Sequence, residues 1–250
     1  MSIFDNCFSE GEGLNGGHFS PEQHFPEISG FNEYSELSNQ DIETLIKTLL
    51  PAGHLDGCES ITCNPSNPFW AQHGALGYYY EGSEGHPPEI CIAGKEMIEG
   101  IGCSEIEVLC HEIGHNAYIN MDVEDMQKWA EIHTNSQILY DQTGFGFVSS
   151  YAHTNLSEDF AETYSAYITN PDFLQFVSPE KYEFMQEQVF GGVEYAQISA
   201  GAGEAILVTK DVANSYAQIE NQLFNFDAAI ASSEQNAQTD ALYRCFDKIA

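Results

Sequence analysis

The sequence predicts an α+β fold, in which a small twisted β-sheet packs on one central helix and on further helices, with a helical C-terminal part. Three observations lead to this prediction. Short β-type runs are confined to residues 59–94, apolar residues recur at helical spacing on either side, and a capped helix with the pattern H-E-x-x-H follows the last run. We expect an extended arm over 1–37, a domain over 38–190 and a mostly helical extension over 191–250 that packs on or follows that domain.

The composition is typical of a folded globular chain with a strongly acidic surface. Of the 250 residues, 42% are hydrophobic and 12% aromatic, which supplies material for a core. Asp and Glu number 39 against 7 Lys and Arg, giving a net charge of −32. Such a surface repels nucleic acid, because phosphate contacts need Lys and Arg. We therefore expect no nucleic-acid partner, and no membrane span either, since no apolar run approaches ~18 residues.

Capping residues and prolines locate the first helix and the strands. Ser38 or Asn39 caps a helix whose apolar residues recur at helical spacing, and Pro51 ends it. The runs SITC, ALGYYY and EICIAG then predict three short strands, because clusters of Pro, Gly and Asn separate them.

Three further helices begin at recognisable caps. We expect them over 105–118, about 123–141 and about 156–168. Their caps are the Ser104–Glu107 capping box, Asp122 and Asn155. Another helical stretch is expected over 172–190, around Pro179.

The helix over 105–118 contains the pattern HEIGH. His111 and His115, at i and i+4, lie on one face, so both imidazoles can reach one metal ion. Glu112 lies beside such an ion, where it can accept a proton from a water molecule. Gly114 costs ~1 kcal/mol relative to Ala inside a helix, which indicates that another segment packs on the backbone there. The alternative is a pair of ordinary helix histidines.

A catalytic zinc site needs a third protein ligand. Glu158 and Glu162 lie at i and i+4 on the third helix, on a face whose small residues leave room for the H-E-x-x-H helix. There Glu158 can be the third ligand, and Glu162 can hydrogen-bond to a ligand histidine. The alternatives are that the two glutamates form a solvated acidic face, and that Glu131 is the third ligand instead.

These motifs resemble the catalytic domain of the anthrax lethal factor family of zinc peptidases, to which the Pro-Pro endopeptidases are related. The family shows HExGH, then a Tyr, an Asn and the pattern E-x-F-A-E on a later helix. This chain has HEIGH, followed by SYAHTNLSEDFAETYSAY. The resemblance spans about 38–190 and implies a zincin-like metallopeptidase fold of the gluzincin type.

The resemblance implies a zinc-dependent endopeptidase that acts on a protein or peptide, and it assigns seven residues to its site. The implied Zn²⁺ ligands are His111, His115 and Glu158. Glu112 would be the general base, and Tyr151 would stabilise the oxyanion. The residues implied to support the ligands are Glu162 and Asn155. Family members also suggest a secreted or extracellular protein, although no signal peptide is visible in the sequence.

Two other functions stay open at the level of the sequence. The scaffold could bind a partner without catalysis around a structural zinc, although such a site needs neither Glu112 nor Tyr151. It could also act on cell-wall peptides as a zinc amidase. In an endopeptidase, an extended substrate would pair with a strand at the cleft edge, and ALGYYYEG at 75–82 or EICIAG is the candidate strand.

Overall fold

A mixed sheet, a group of helices and a two-stranded hairpin make up the described part of the chain. This computed structural model describes residues 24–199, 205–215 and 217–218. The predicted α+β character is confirmed, because helices and small sheets both occur, whereas the finer prediction of a zincin-like fold stays a prediction. Within these ranges, every helix is too short or too polar to cross a membrane.

The larger sheet has four strands. They are β1 (Glu27–Ser29), β2 (Ser60–Cys63), β3 (Gly77–Tyr80) and β4 (Glu89–Ile92). Their order across the sheet is β1-β2-β4-β3, with β1 parallel to β2, β2 parallel to β4, and β3 antiparallel to β4. Strand β3 is therefore an edge strand, and β4 lies inside the sheet. The runs SITC, ALGYYY and EICIAG supply β2, β3 and β4, as predicted.

The three longest helices of the described residues are the one with the H-E-x-x-H pattern and the two that follow it. In chain order the helices are α1 (Phe31–Tyr34), α2 (Asn39–Leu49), α3 (Pro68–His73), α4 (Lys95–Glu99), α5 (Glu105–Ile119), α6 (Val123–Thr143), α7 (Leu156–Thr169), α8 (Pro171–Val177) and α9 (Pro179–Phe184). A 3₁₀ turn at Ala52–Leu55 and a π-helical turn at Met185–Val189 accompany them. Helices α2, α5, α6 and α7 begin at the predicted caps, and α5 has its capping box.

The two ends of the described chain differ from the prediction. We expect an extended arm over 1–37, but its described residues contain β1 and α1, and β1 pairs with β2. Three residues are too few to show a β-type pattern in the sequence. Over 191–250 we expect mostly helix, but β5 (Tyr195–Ser199) and β6 (Ala205–Thr209) form an antiparallel hairpin. The rest of both segments lies outside the described residues, so the domain boundaries stay predictions.

Helices α5 and α7 touch along small residues. A Cβ atom added to Gly114 would lie 3.0 Å from the Cα of Ala161 and 3.1 Å from the Cβ of Tyr164. The hydroxyl of Ser165 donates to the carbonyl of Glu107 over 2.9 Å, which joins the same two helices. The expectation that another segment packs on the backbone at Gly114 is confirmed.

A half-buried histidine lies behind this contact. His54 Nδ1 is 2.8 Å from the hydroxyl of Tyr164, and its Nε2 is 3.0 Å from the carbonyl oxygen of Val189. Because a carbonyl oxygen can only accept, Nε2 carries the proton and Nδ1 accepts from the tyrosine. Burial lowers the pKa of His54 to about 4, against the smaller effect of the Val189 hydrogen bond. The imidazole therefore stays neutral in the folded protein.

We expect His54 to make the fold sensitive to acid. In the unfolded chain the imidazole binds a proton below its ordinary pKa of ~6.5, whereas in the folded chain it does so only near 4. Stability contributed by the neutral ring is thus present at pH 7 and is lost as the pH falls from ~6.5 towards 4. Between pH 7 and 4.5, wild type should lose about 2 kcal/mol more unfolding free energy than His54→Gln.

Urea unfolding of the metal-free protein, with a chelator present, measures this difference. Gln keeps one donor and one acceptor but does not titrate. His86→Gln, at an exposed position, is the matched control and should follow wild type. Equal pH dependence in wild type and His54→Gln would contradict the assignment.

Candidate metal centre

Helix α5 carries the H-E-x-x-H residues between helix α7 and strand β3. One ligand atom from each of His111, Glu112 and His115 can be chosen so that all lie within 4.8 Å of one another, a spacing that can hold a metal ion. His111 is 9% exposed and Glu112 5% exposed, so the group faces inward from the helix. The Ser104 capping box fixes where α5 begins and hence which side chains face α7.

Three ligand atoms converge at this point. His111 Nε2 lies 3.1 Å from His115 Nε2, and the Oε2 atom of Glu158 lies 3.2 Å from the first and 3.3 Å from the second. Ligands bound to a tetrahedral zinc at ~2.0–2.1 Å lie ~3.3 Å from one another. The buried Oε2 atom of Glu158 also has no hydrogen bond of good geometry. The three side chains therefore fit a zinc ion by spacing, donor type and an unsatisfied ligand atom.

The electrostatics of the three side chains favour a positive charge between them. Burial alone would lower the pKa of His111, but the neighbouring carboxylates of Glu158 and Glu162 raise it to about 10. Burial would likewise raise the pKa of Glu158, but His111 and His115 hold it well below its ordinary value. A proton meets this demand for positive charge in the protein without metal, and a bound cation would meet it more fully.

Each histidine has a polar neighbour at its other ring nitrogen. His111 Nδ1 lies 2.8 Å from an oxygen of Glu162, without the geometry of a hydrogen bond. His115 Nδ1 lies 3.0 Å from the hydroxyl of Ser157. A partner on Nδ1 leaves Nε2 free to bind a metal ion. Ser157 was missed from the sequence, although its place directly before Glu158 in the first turn of α7 is a usable signal.

Asn155 and Ser149 support the carboxylates. The side-chain oxygen of Asn155 accepts from the backbone N–H groups of Ser157 and Glu158, each over 3.0 Å. Asn155 therefore caps α7 at the turn that carries the ligand candidate Glu158. The hydroxyl of Ser149 donates to Glu162 over 2.5 Å. Sequence reasoning identified Asn155 but not Ser149, which lies in the loop before α7 and has no motif around it.

Strand β3 holds the carboxylate of Glu112. A Cβ atom on Gly77 would lie 2.5 Å from Glu112 Oε1 and 2.8 Å from its Cγ, so a larger residue there would require the carboxylate or β3 to move. Burial raises the pKa of Glu112, and the nearby histidines and the backbone N–H of Tyr79 oppose that rise. A buried carboxylate held between two histidines and a strand is well placed to accept and release a proton.

Tyr151 lies at the mouth of the site. Its side chain is 51% exposed, and its ring stacks at 27° on the ring of His111, with 5.8 Å between the ring centres. Burial of part of the ring, together with the negative charge of Glu158, raises the pKa of Tyr151 to about 12. The hydroxyl therefore stays protonated at neutral pH and can donate a hydrogen bond.

A cleft of about 610 Å³ opens beside these residues. His111, Glu112 and Tyr151 line it, and its described walls contain no Lys or Arg. The remaining walls come from the segment before β3, the start of α5, the end of α7 and the start of α8, including Leu76, Val108, Ala166 and Phe173. The cleft therefore offers an apolar wall beside an acidic centre.

Three further residues that could bind a metal ion, Glu131, His133 and His153, lie away from the centre or make other contacts. Glu131, the alternative third ligand, is exposed on α6, and Glu158 lies with the histidines instead. His133 is 2.8 Å from Asp159, so it belongs to a polar network rather than to the surface. His153 is half-buried, and its ring packs on Tyr140.

Comparisons with known proteins place few limits on this chain. No protein-family model matches it, and no curated protein matches it. A crystal structure from Bacteroides caccae ATCC 43185, provisionally described as a zinc-binding metallo-peptidase, resembles it with 17% identity and a TM-score of 0.33. The match covers 59% of this chain and 61% of that one, so this chain spans less than two thirds of that protein. Such a likeness fixes neither fold nor activity, and membership of the anthrax lethal factor family stays a prediction.

We expect Gly77→Ala to displace the carboxylate of Glu112 while leaving the histidines and Glu158 in place. The added methyl group would overlap Glu112 Oε1, and β3 or the carboxylate must move. Zinc content should stay near that of wild type, while hydrolytic turnover falls about 10- to 100-fold, because misplacement of a reacting group by about 1 Å has an effect of that size.

Elemental analysis and turnover of the two proteins side by side measure this effect. Gly53→Ala is the control, since its Cβ would meet only a side-chain oxygen of Asp56 at 3.7 Å. Unchanged turnover in Gly77→Ala would show that Glu112 does not need this wall.

Proposed function

We propose that this protein is a zinc-dependent endopeptidase. The observation that carries the proposal is the triangle formed by His111, His115 and Glu158, with sides of 3.1 to 3.3 Å, beside the buried Glu112 and an open cleft. The H-E-x-x-H spacing on one helix supports the same chemistry independently. The finer proposal, that the enzyme is of the anthrax lethal factor type, rests on the sequence motifs alone.

In this proposal His111, His115 and Glu158 hold the ion. Zinc bound there would act as a Lewis acid towards the scissile carbonyl and would make a water molecule more acidic. Glu162 beside His111 Nδ1 and Ser157 beside His115 Nδ1 would accept a hydrogen bond from these nitrogens, which leaves Nε2 of each ring for the ion. Asn155 keeps Glu158 at the first turn of α7 through the helix cap.

Glu112 is the general base. Its carboxylate takes a proton from the attacking water and delivers it to the nitrogen of the leaving amine. The raised pKa that burial gives Glu112 strengthens it as a base, and the neighbouring histidines oppose that rise. Gly77 and the backbone of Tyr79 fix the carboxylate in one position for both transfers.

Tyr151 stabilises the negative charge that develops on the carbonyl oxygen. Its hydroxyl is protonated at neutral pH and lies at the mouth of the cleft, where its partial exposure lets it reach a bound substrate. A donor of this kind contributes about 10²- to 10³-fold to turnover in other hydrolases.

The edge strand β3 is the proposed place where an extended substrate binds. Its outer backbone groups can pair with a peptide, as ALGYYYEG suggests. The alternative strand in EICIAG is excluded from this role, because β4 is paired on both sides within the sheet. An acidic cleft without Lys or Arg favours neutral or basic peptides over acidic ones.

A structural zinc in a binding module fits these observations less well. Structural sites use four protein ligands and are closed. Here the ligand candidate His111 lines an open cleft, and Glu112 and Tyr151 line the same cleft without being needed for metal binding. A zinc amidase acting on cell-wall peptides would use the same residues, and a screen of peptides against purified peptidoglycan distinguishes the two substrates.

We expect Glu112→Gln and Glu158→Gln to separate proton transfer from metal binding. Glu112→Gln should keep about one zinc per chain and lose at least about 10²-fold in cleavage rate, because an amide cannot accept the proton. Glu158→Gln should lose zinc and activity together, because it removes the only charged ligand of the three.

Elemental analysis and cleavage of a peptide library, read by mass spectrometry, give both quantities. Glu131→Gln, an exposed carboxylate on α6, is the control and should match wild type. Retained cleavage in Glu112→Gln would refute the general-base assignment, and unchanged zinc in Glu158→Gln would refute the ligand assignment.

A further inference from the structure

A buried ion pair lies directly behind the candidate metal centre. Lys181 on α9 and Asp159 on α7 are both fully buried, and Lys181 Nζ donates to Asp159 Oδ1 over 2.6 Å. The other oxygen of Asp159 accepts from His133 Nδ1 over 2.8 Å. Burial lowers the pKa of Lys181 and raises that of Asp159, and their mutual attraction opposes both shifts. Such a pair is costly to bury and adds little stability over apolar residues of the same volume.

This ion pair joins three helices at one residue. Asp159 follows Glu158 in the first turn of α7, and its two oxygens bind one group from α9 and one from α6. We call Lys181, Asp159 and His133 the clasp. Because both oxygens of Asp159 have fixed partners, the first turn of α7 has one rotational setting relative to α6 and α9.

The loop over 144–155, which carries Tyr151, contacts the clasp through Phe147. The ring of Phe147 is 8% exposed, and Lys181 Nζ lies 4.1 Å from its centre. The same ring meets the ring of His133 edge-on, at 5.5 Å between centres. A buried ammonium over an aromatic face is attracted to the negative face of the ring, and the attraction is strongest where water is excluded. Phe147 is thereby held by two of the three clasp residues.

The second contact of the loop lies just after Tyr151. The ring of His153 packs edge-on against Phe147 at 5.0 Å and on Tyr140 of α6 at 4.4 Å. Between the two contacts, Ser149 donates to Glu162 and also accepts from the backbone N–H of Ala152. The segment 147–153 therefore forms an arch with fixed ends, and Tyr151 is its exposed residue.

We propose that the clasp of Lys181, Asp159 and His133 positions Tyr151 over the metal centre. Phe147 connects the two, because its ring contacts the clasp and it lies in the loop that carries Tyr151. The inference rests on the proposed function, in which Tyr151 donates to the oxyanion. Phe147 and the clasp are positioning residues, since none of them touches the reacting atoms. This role explains why a buried ion pair lies beside a catalytic helix, where an apolar contact would give equal stability.

The test uses Phe147→Leu in the full chain. Lys181→Met is unsuitable by itself, because it leaves a buried carboxylate unpaired and can prevent folding. Phe147→Leu keeps apolar volume but loses the aromatic face that meets Lys181. We expect kcat to fall about 10- to 100-fold with KM and zinc content unchanged. Phe147→Tyr, which keeps the ring, should restore kcat to near wild type.

A double-mutant cycle distinguishes positioning from a general loss of stability. In a Tyr151→Phe background the hydroxyl is absent, so Phe147→Leu should change kcat by no more than about twofold. Phe190→Leu is the matched control, because Phe190 is also buried but packs on His54 and Tyr164 away from the loop. An equal fall of kcat in the Tyr151→Phe background, or in Phe190→Leu, would overturn the proposal.

Hydrogen exchange of the peptide over 144–155 tests the same idea without activity. The amides of Ala152 and Thr154 donate hydrogen bonds to Ser149 and Tyr151 within the loop. Both amides should exchange faster in Phe147→Leu but not in Phe190→Leu. Unchanged exchange in Phe147→Leu would overturn the proposal that the clasp holds the loop. If wild type binds no zinc and cleaves no peptide, the proposed function fails, while the exchange result still decides whether the clasp holds the loop.

Discussion

The close approach of α5 and α7 at Gly114 is the contact on which the candidate site depends. The backbone of α5 lies so near Ala161 that a single added carbon would overlap the second helix. Only at this separation can one carboxylate oxygen on α7 reach both imidazoles of α5. The cost of a glycine inside a helix, about 1 kcal/mol, is thus the cost of bringing two parts of one metal site together.

The same two helices carry the supporting groups, so the site is built from a small number of elements. Glu162 and Ser157 on α7 orient the histidines of α5, and Ser149 in the preceding loop ties Glu162 to the segment that carries Tyr151. Strand β3 closes the other side against Glu112. The chain has far more carboxylates than cationic side chains, and two of those carboxylates, Glu158 and Glu162, lie at this site. Their negative charge favours a bound cation.

Local signals in the sequence were sufficient for some parts of this structure and insufficient for others. Helix caps such as Ser104 and Asp122 act within one turn, so the starts of α5 and α6 were predictable. The i, i+4 spacing of His111 and His115 was enough to place both on one face of α5. Glu158 was assigned as the third ligand only by the resemblance to the anthrax lethal factor family, because its spacing to Glu162 is equally typical of a solvated acidic face. Strand β1 and the hairpin of β5 and β6 were missed, because short strands are stabilised by distant partners rather than by their own residues.

The wall that Gly77 provides has a consequence for how activity can be altered. Strand β3 has only four residues and pairs with β4 alone. The position of the wall that Gly77 presents to Glu112 therefore follows from that single pairing. Ile92 of β4, which is fully buried and paired with Gly77, thus helps to set the position of the wall against Glu112. An engineer who wished to retune proton transfer without disturbing the metal ligands or the cleft would begin with the interior of the sheet.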